Sequence, residues 1–285
     1  MCLYFNVGID NVKGNFVEWC KICYPMSPKR STKKVAHVAS HGGNKKEDKS
    51  LYLFQGPKID FDLNIRVRHE LTEKQKTILE KMEHKDTKII CHNSIWGVSK
   101  TYCAVLAALK LLKEGRTRKI YYIRNAVEAV DCAKQGYLPG SLSEKTEAYN
   151  EVLMEKLEEF LPQSQITRLI NEEYIECLAP NYLRGRNFNN CTLICDEAAN
   201  FPFDIFLLIV SRMGERTRAF FLGDSDVQTD IKNGGFRKFY DTFNDEESQE
   251  NGVWCFEQRD SKDILRSGFL RFVMQKVGIA KKDEG

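Results

Sequence analysis

Apolar and polar residues follow a helical spacing in several long segments of the chain. Residues 71–84, LTEKQKTILEKMEH, carry apolar side chains three to four positions apart, which predicts a helix capped by Thr72. Residues 102–115, YCAVLAALKLLKEG, are apolar almost all round and predict a buried helix that ends at Gly115. More highly charged helices are predicted at 144–160 and 162–172.

Short apolar runs rich in β-branched and aromatic residues separate these helices. Their shortness favours strands over helices. Strands that alternate with helices predict an α/β fold with a parallel sheet covered by helices on both faces. The runs are KIICH (88–92), KIYYIRN (119–125), YIECLAP (174–180), CTLICDE (191–197) and RAFFLGD (218–224).

Polar residues follow the ends of several of these runs. In an open parallel sheet, ligands bind at the carboxyl ends of the strands, so residues located there converge. The sequence therefore predicts one functional edge of the sheet. We expect the strands to end there at Cys91–His92, Arg124, Cys195–Asp196 and Leu222–Asp224.

The segment after the first strand, SIWGVSKT (94–101), has the length and ending of the phosphate-binding loop G-x-x-x-x-G-K-[ST]. Serine stands at both glycine positions, Ser94 and Ser99, with Gly97 between them. Glycine permits positive φ and close backbone approach to phosphate, so the serines predict weakened binding rather than a filled pocket. Ser99 is placed to cap the next helix. Ser94 is expected to be the more damaging change.

A magnesium nucleotide needs a lysine on its phosphates, a hydroxyl and a carboxylate for the metal, and a group that orients water. Lys100 and Thr101 supply the lysine and the hydroxyl. Asp196 suits the metal carboxylate, Glu197 the group that polarises water, and Asp224 the same edge on a neighbouring strand. A solvent-facing strand cap is the simpler interpretation of any one acid. Three converging strand ends favour a shared site.

Seven segments of the chain occur in the order of a known family. They read LTEKQKTILE, SIWGVSKTYCAVLAALKLL, YYIRNAVEAVDCAKQGYLPGSLSEK, NYLRGRNFNN, LICDEAAN, SRMGERTRAFFLGD and DILRSGFLRF. From about residue 58 to 275 the chain resembles the PhoH family of P-loop ATPases, which have a RecA-like core related to superfamily 1 helicases. The resemblance implies slow ATP hydrolysis with Mg²⁺, action on nucleic acid with RNA favoured, and a homo-oligomer such as a hexameric ring. Many phages carry such a protein, and a phage-type member is expected.

The resemblance also assigns roles to individual residues. Gln75 matches the position that reads adenine in related ATPases, and Gln228 matches the glutamine that follows the sensor acid. Arg184, Arg186 and Arg266 match family arginines, some of which would face the γ-phosphate of a neighbouring subunit; a surface ion pair is the alternative for each. The remaining matches are Lys100 and Thr101 of the phosphate loop, Asp196 and Glu197 of the Walker B pair, and the sensor acid Asp224.

Several positions depart from the family pattern. Ala199 replaces the glutamine of D-E-A-Q-N, and Asn125 replaces a proline after the second strand. Gln228 comes one position later than in G-D-P-x-Q. Together with Ser94, these changes predict reduced turnover rather than a lost fold. The alternative to an ATPase is a weakly active or inactive nucleotide-binding ring or adaptor protein.

The N-terminal region contains the pattern C-x2-C-x13-H-x3-H, a spacing expected of a tetrahedral zinc site. A basic linker with incidental ligands is the alternative. Domain boundaries are therefore predicted as an N-terminal region of 1–57 and an ATPase domain of 58–285. The candidate zinc ligands are Cys20, Cys23, His37 and His41.

The charge of the chain is concentrated in the same region. Residues 26–50 carry a charge of +5, although the whole chain carries only +3. A solvated linker and a nucleic-acid contact region are both consistent with this excess.

The remaining composition limits the location of the protein. No run of about 18 apolar residues occurs and the N-terminus does not resemble a signal peptide, so we expect no membrane partner. Ten cysteines without an export signal indicate reduced thiols or a metal rather than disulfides. A cytoplasmic location is expected, which is the host cytoplasm for a viral protein.

Overall fold

The computed structural model describes residues 59–124, 151–226 and 234–280. Within these ranges, six strands form a single sheet in which every pairing of neighbours is parallel. The strands are β1 Ile89–Ser94, β2 Lys119–Arg124, β3 Ile175–Leu178, β4 Cys191–Asp196, β5 Arg218–Gly223 and β6 Val253–Gln258. Their order across the sheet is β3-β2-β4-β5-β1-β6.

Helices connect these strands. Seven of them are given bounds below, and residues 151–158 form a further helix. The first helix begins with the predicted cap, because the Thr72 hydroxyl accepts from the Gln75 N–H while the Gln75 side chain accepts from the Thr72 N–H. The helices are α1 Glu73–Glu83, α2 Lys100–Lys113, α3 Gln163–Asn171, α4 Phe203–Arg212, α5 Phe236–Phe243, α6 Glu246–Glu250 and α7 Gly268–Lys276.

Helices cover both faces of the sheet, and successive residues of a strand serve the two faces in turn. Ile194 of β4 packs in the core formed with α1, α2 and α3. Its neighbours Leu193 and Cys195 pack in the opposite core with α4 and α5. Burial on both faces explains why the central strands are continuous apolar runs. The structure confirms the predicted α/β fold.

The strand order places one strand, β5, between the strand that leads into residues 94–101 and the strand that ends in Asp196. This arrangement is that of a RecA-like sheet. Because all pairings are parallel, the carboxyl ends of the strands lie on one edge, as predicted. One boundary differs, since β1 continues to Ser94 rather than ending at Cys91–His92.

The sequence did not predict β6. Its residues, VWCFEQ, are only partly apolar, and four of the six are not fully buried because β6 is an edge strand. An edge strand contacts only one neighbouring strand, so its apolar signal is weaker than that of a central strand.

Among the described residues, no helix is both long enough and apolar enough to span a bilayer.

Candidate nucleotide site

The loop between β1 and α2 has the backbone shape that its motif normally obtains from glycine. Gly97 has a φ of +81°, and a Cβ there would lie 2.6 Å from Leu270 of α7. Ser99 has a φ of 64° and a ψ of 30°, the left-handed conformation that costs a non-glycine residue about 1–2 kcal/mol. Packing holds the loop in this shape, because Ile95 and Val98 are fully buried in a small cluster with residues of the α7 region.

One expectation about the serines is corrected, and the other stays a prediction. Ser99 lies at the N-cap of α2 but makes no side-chain capping bond, because its left-handed backbone replaces the extended conformation usual for a cap. Ser94, expected to be the more damaging change, is the last residue of β1 and does not have positive φ. Its hydroxyl is buried without a hydrogen-bond partner in the described structure. The backbone strain therefore lies at Ser99.

Lys100, the first residue of α2, points back along the loop. Its Nζ donates to the carbonyl oxygens of Ser94 at 3.2 Å and Ile95 at 3.3 Å. Burial lowers the pKa of Lys100 below its usual value, whereas the nearby carboxylates, led by Asp196, act in the opposite direction. A phosphate would provide the negative charge that this buried cation lacks at close range.

Thr101 and Asp196 meet as a possible metal-binding pair. The Thr101 Oγ1 lies 3.2 Å and 3.3 Å from the two carboxylate oxygens of Asp196. The Tyr122 hydroxyl donates to Asp196 Oδ2 at 2.5 Å, and the N–H of Glu197 donates to Oδ1 at 3.0 Å. Hydroxyl and carboxylate oxygens are hard ligands of the kind that Mg²⁺ prefers. These two residues therefore fit the metal of a magnesium nucleotide.

Glu197 follows Asp196 in an unusual conformation. Its φ is 50°, so it is a second non-glycine residue in the left-handed region at this edge. The turn after it packs tightly against β5, because a Cβ at Gly223 would lie only 2.8 Å from the Ala199 nitrogen. The Glu197 carboxylate accepts a hydrogen bond from Arg124 at the end of β2. The carboxylate is thus partly neutralised by Arg124, while the backbone of Glu197 contacts Asp196.

Asp224 completes the edge from the end of β5. It is fully buried, and its Oδ1 accepts from Arg259 at 2.9 Å. Arg259 also donates to the Asn93 side chain at 3.1 Å, immediately before the loop. The structure therefore brings the phosphate loop, the acids of β4 and the acid of β5 to one place.

Comparisons with known proteins identify the family of the chain. The family described as PhoH-like protein matches residues 67–277, which is most of the chain. The chain belongs to the PhoH-like family. Its relatives include a PhoH-like protein of Bacillus subtilis, 35% identical over 141 residues, which are 48% of this chain and 44% of that protein. A PhoH-like protein of Mycobacterium leprae is 30% identical over 183 residues, 63% of this chain and 52% of that protein.

More distant similarities extend the comparison. Protein PhoH2 of Mycolicibacterium smegmatis is 25% identical over 186 residues, 65% of this chain and 41% of that protein. The chain spans about half the length of the curated PhoH-like relatives it matches. A solved structure, the Sulfolobus solfataricus SWI2/SNF2 ATPase core in complex with dsDNA, aligns with 72% of this chain and 48% of that chain at 14% identity and a TM-score of 0.40.

The structure places Gln75 of the PhoH-like chain beneath the loop. Gln75 is fully buried and its Nε2 donates to the Val98 carbonyl at 2.9 Å. Its Oε1 accepts from the Thr72 N–H at 2.9 Å. Both ends of the amide are therefore bonded to backbone, and in this arrangement Gln75 shapes the loop rather than facing a base.

The three predicted arginines do not converge. Arg266 is exposed beside the loop, since a Cβ at Gly97 would lie 3.5 Å from the Arg266 Cβ. Arg186 pairs at 2.9 Å with Glu176 on the edge strand β3, which three strands separate from β1. Arg184 is exposed in the same segment. Within one chain, only Arg266 of the three lies beside the phosphate loop.

A buried histidine that the sequence did not single out lies on β1 just before the loop. The His92 Nε2 donates to Gln258 Oε1 at 2.8 Å, and its Nδ1 has no partner in the described structure. Burial, with a smaller contribution from Lys100, lowers the pKa of His92 to about 3. The ring is therefore neutral near neutral pH.

Some predicted residues lie outside the described ranges. They are the zinc candidates Cys20, Cys23, His37 and His41, together with Asn125 and Gln228. In residues 59–124, 151–226 and 234–280, no group of three or more His, Cys, Asp or Glu side chains forms a metal site. A magnesium ion at Thr101 and Asp196 would therefore depend on phosphate oxygens for further ligands.

The sequence did not single out Asn93, Tyr122 and Arg259 as site residues, and it named Arg124 only as the end of β2. Asn93 and Arg124 lie at the carboxyl ends of their strands, and this position was the available signal for both. Tyr122 lies two residues before the end of β2, within the apolar run. Arg259 follows β6, the strand whose weak apolar pattern hid it.

Proposed function

We propose that this PhoH-like chain binds ATP with Mg²⁺ at the carboxyl edge of its sheet and hydrolyses it slowly. The contact of Thr101 with both oxygens of Asp196, one residue after the half-buried Lys100, is the observation that carries the proposal. A hydroxyl, a carboxylate and a lysine in this order match what phosphoryl transfer from a P-loop requires.

In the proposed complex, Lys100 exchanges the carbonyls of Ser94 and Ile95 for phosphate oxygens of ATP. The exchange is favourable because an anion compensates a buried ammonium better than neutral carbonyls do. Thr101 and Asp196 would hold the metal, which would supply positive charge to neutralise the phosphates.

Glu197 is the proposed water-polarising group. Its ion pair with Arg124 must loosen or be shared when water is engaged, because a carboxylate oxygen bonded to a guanidinium is a weaker base. Asp224 is proposed to act from β5, and Arg266 is the candidate of the three family arginines for the phosphates of the same chain. Gln228 remains a proposed nucleotide contact.

Single-turnover hydrolysis of radiolabelled ATP tests the proposal. We expect Mg²⁺-dependent product formation that disappears with EDTA and in Asp196→Asn. Because Asp196 accepts bonds from Thr101, Tyr122 and a backbone N–H, the fold of this variant is checked by circular dichroism. Product formation that persists in Asp196→Asn would refute the proposed metal site.

We further propose that turnover acts on nucleic acid, with RNA favoured, in a homo-oligomeric ring. The support is the resemblance stated above and the +5 charge of residues 26–50. ATP turnover with poly(U), single-stranded DNA or no polymer tests the first part. A mass near six protomers in light scattering tests the second, and a monomer at all concentrations would contradict it.

A second candidate function is a nucleotide-binding ring or adaptor with little or no turnover. Ser99 in a left-handed conformation and the Glu197–Arg124 ion pair favour it, since the first strains the loop and the second occupies the base. ATP binding without single-turnover product is the result expected of this function.

Zinc at Cys20, Cys23, His37 and His41 remains a separate proposal, supported by ligand spacing alone. Metal analysis of protein purified without chelator tests it. About one zinc per chain, lost in Cys20→Ser, is expected, and no zinc would favour the basic linker.

A further inference from the structure

The carboxylate of Asp224 has one satisfied and one unsatisfied oxygen. Oδ1 accepts from Arg259 Nη1 at 2.9 Å and from the Asp226 N–H at 3.2 Å. Oδ2 is buried and has no hydrogen-bond partner in the described structure. A buried carboxylate oxygen without a partner is costly, so Oδ2 would gain by accepting a bond from a group beyond the described residues.

Arg259 joins three strand ends through one guanidinium. It follows β6, pairs with Asp224 at the end of β5 and donates from Nη2 to Asn93 Oδ1, near the end of β1, at 3.1 Å. The same Nη2 lies 3.0 Å from Asp226 Oδ2. Its side chain is only 14% exposed, so water screens these contacts weakly. Arg259 thus connects the sensor acid to the strand that leads into the phosphate loop.

We propose that Arg259 is a positioning residue for ATP hydrolysis, which orients Asp224 so that its free Oδ2 can bond the attacking water or a water of the Mg²⁺ shell. The proposal rests on the proposed ATPase function and adds a residue to it. It also explains the choice of arginine, because a planar fork can hold Asp224 and Asn93 with two separate nitrogens, whereas a lysine has a single nitrogen.

The chain offers a matched control in Arg237. Arg237 Nη1 lies 3.9 Å from Asp226 and from Glu257, the two outer acids that Arg259 also contacts. Its described ion pairs do not include Asp224, and its side chain is 52% exposed. Arg237→Gln therefore removes the same charge from the same acidic cluster without releasing Asp224.

The experiment measures kcat and KM for ATP in Arg259→Gln, Arg259→Lys, Asp224→Asn, the double variant Arg259→Gln/Asp224→Asn and Arg237→Gln. We expect Arg259→Gln to lower kcat by about 10- to 100-fold with KM within about 3-fold, and Arg259→Lys to recover part of the loss. Arg237→Gln should stay within about 2-fold of the parent. The double variant should be no slower than Asp224→Asn, because Arg259 acts through Asp224.

Three results would overturn the proposal. The first is equal loss in Arg259→Gln and Arg237→Gln, which would indicate a general charge effect. The second is multiplication of the two single losses in the double variant, which would indicate that Arg259 acts independently of Asp224. The third is a loss in Arg259→Gln that follows its fraction unfolded by circular dichroism and is fully restored under stabilising conditions.

The proposed function can fail separately. If the parent binds ATP without hydrolysing it, the same five variants are compared by the Mg²⁺-dependent part of the affinity for a fluorescent ATP analogue. Non-additive losses in Arg259→Gln and Asp224→Asn are then still expected, and additive losses would overturn the positioning role. A parent that binds no nucleotide refutes both proposals.

Discussion

Two turns at the functional edge each hold a non-glycine residue in the left-handed conformation, but for different reasons. Ser99 lies in the phosphate loop, where its motif has glycine and where only the backbone is required to curve. Glu197 follows β4, where the side chain itself is the proposed water-polarising group. The loop could therefore return to glycine without losing a chemical group, whereas the acid turn could not. The strained backbone at Glu197 carries a side chain with a proposed chemical role, whereas the strained backbone at Ser99 does not.

The strongest test of this comparison removes Lys100, the loop side chain proposed to bind the phosphates. Lys100→Ala should weaken ATP binding by about 100-fold or more, because a charge-assisted contact to phosphate is lost. The measurement is equilibrium binding of a fluorescent ATP analogue.

Lys113→Ala provides the control, since Lys113 lies at the opposite end of α2 and pairs with Asp62. Its affinity should equal that of the parent. Unchanged affinity in Lys100→Ala would mean that SIWGVSKT is only a turn.

The acid turn is tested by Glu197→Gln. The amide keeps the size of the side chain and removes the charge that polarises water, so hydrolysis should fall by about 10²-fold while ATP binding with Mg²⁺ is retained. Single-turnover rates and affinities are measured together. Glu83→Gln, which removes a carboxylate paired with Lys110 away from this edge, should leave both unchanged. A parental rate in Glu197→Gln would assign Glu197 a structural role.

The buried side chain of His92, on β1 just before the loop, predicts that the stability of the fold depends on pH. The folded-state pKa of His92 is about 3, below the usual 6.5, so the unfolded chain takes up the proton first as the pH falls. The stability contribution is complete above pH 6.5 and is lost as the pH falls toward 3, with about 2 kcal/mol lost at pH 5. Urea unfolding of the parent and of His92→Gln between pH 5 and 8 measures the difference.

In His92→Gln, the fall in the free energy of unfolding between pH 7 and pH 5 should be about 2 kcal/mol smaller than in the parent. His84→Gln is the control, because His84 is half-exposed. Identical pH profiles for the parent and His92→Gln would show that His92 is solvated or charged in the folded chain.

The smallest expected effect distinguishes the two serines. Ser99→Gly should raise the free energy of unfolding by about 1 kcal/mol, because glycine adopts the left-handed backbone of this position without the steric strain that serine has there. Ser94→Gly should change it by less than about 0.5 kcal/mol, since losing an unsatisfied hydroxyl offsets the greater freedom of an unfolded glycine. Thermal and urea unfolding measure both. A larger gain from Ser94→Gly would place the strain in β1.

The central strands and the capped helix were predictable because their signals are local. Leu193 and Cys195 are buried in the core on one face and Ile194 in the core on the other, so the apolar run itself identifies β4. The convergence of Thr101 with Asp196 was also predictable, since parallel strands place their carboxyl ends together.

Other features depend on contacts that no local pattern reveals. Arg259 becomes part of the site only because β6 pairs with β1, and the pattern of β6 is weak. The burial of Gln75 depends on the carbonyl of Val98, which lies in a different element. The identity of the strained serine required backbone torsion angles, because the motif contains glycine at both positions.

The position of β1 in the sheet has a consequence for how the chain is made. β1 comes first in the sequence among the described strands, yet its two neighbours are β5 and β6, the last two. During synthesis on the ribosome, β1 therefore has neither of its neighbouring strands until nearly all of the described strands have emerged. Pairing across such a separation is slow and leaves a strand edge open to aggregation. The loop of residues 94–101 gains its final packing later still, because Ile95 and Val98 are buried against Ile264 and Met274 near the end of the described chain.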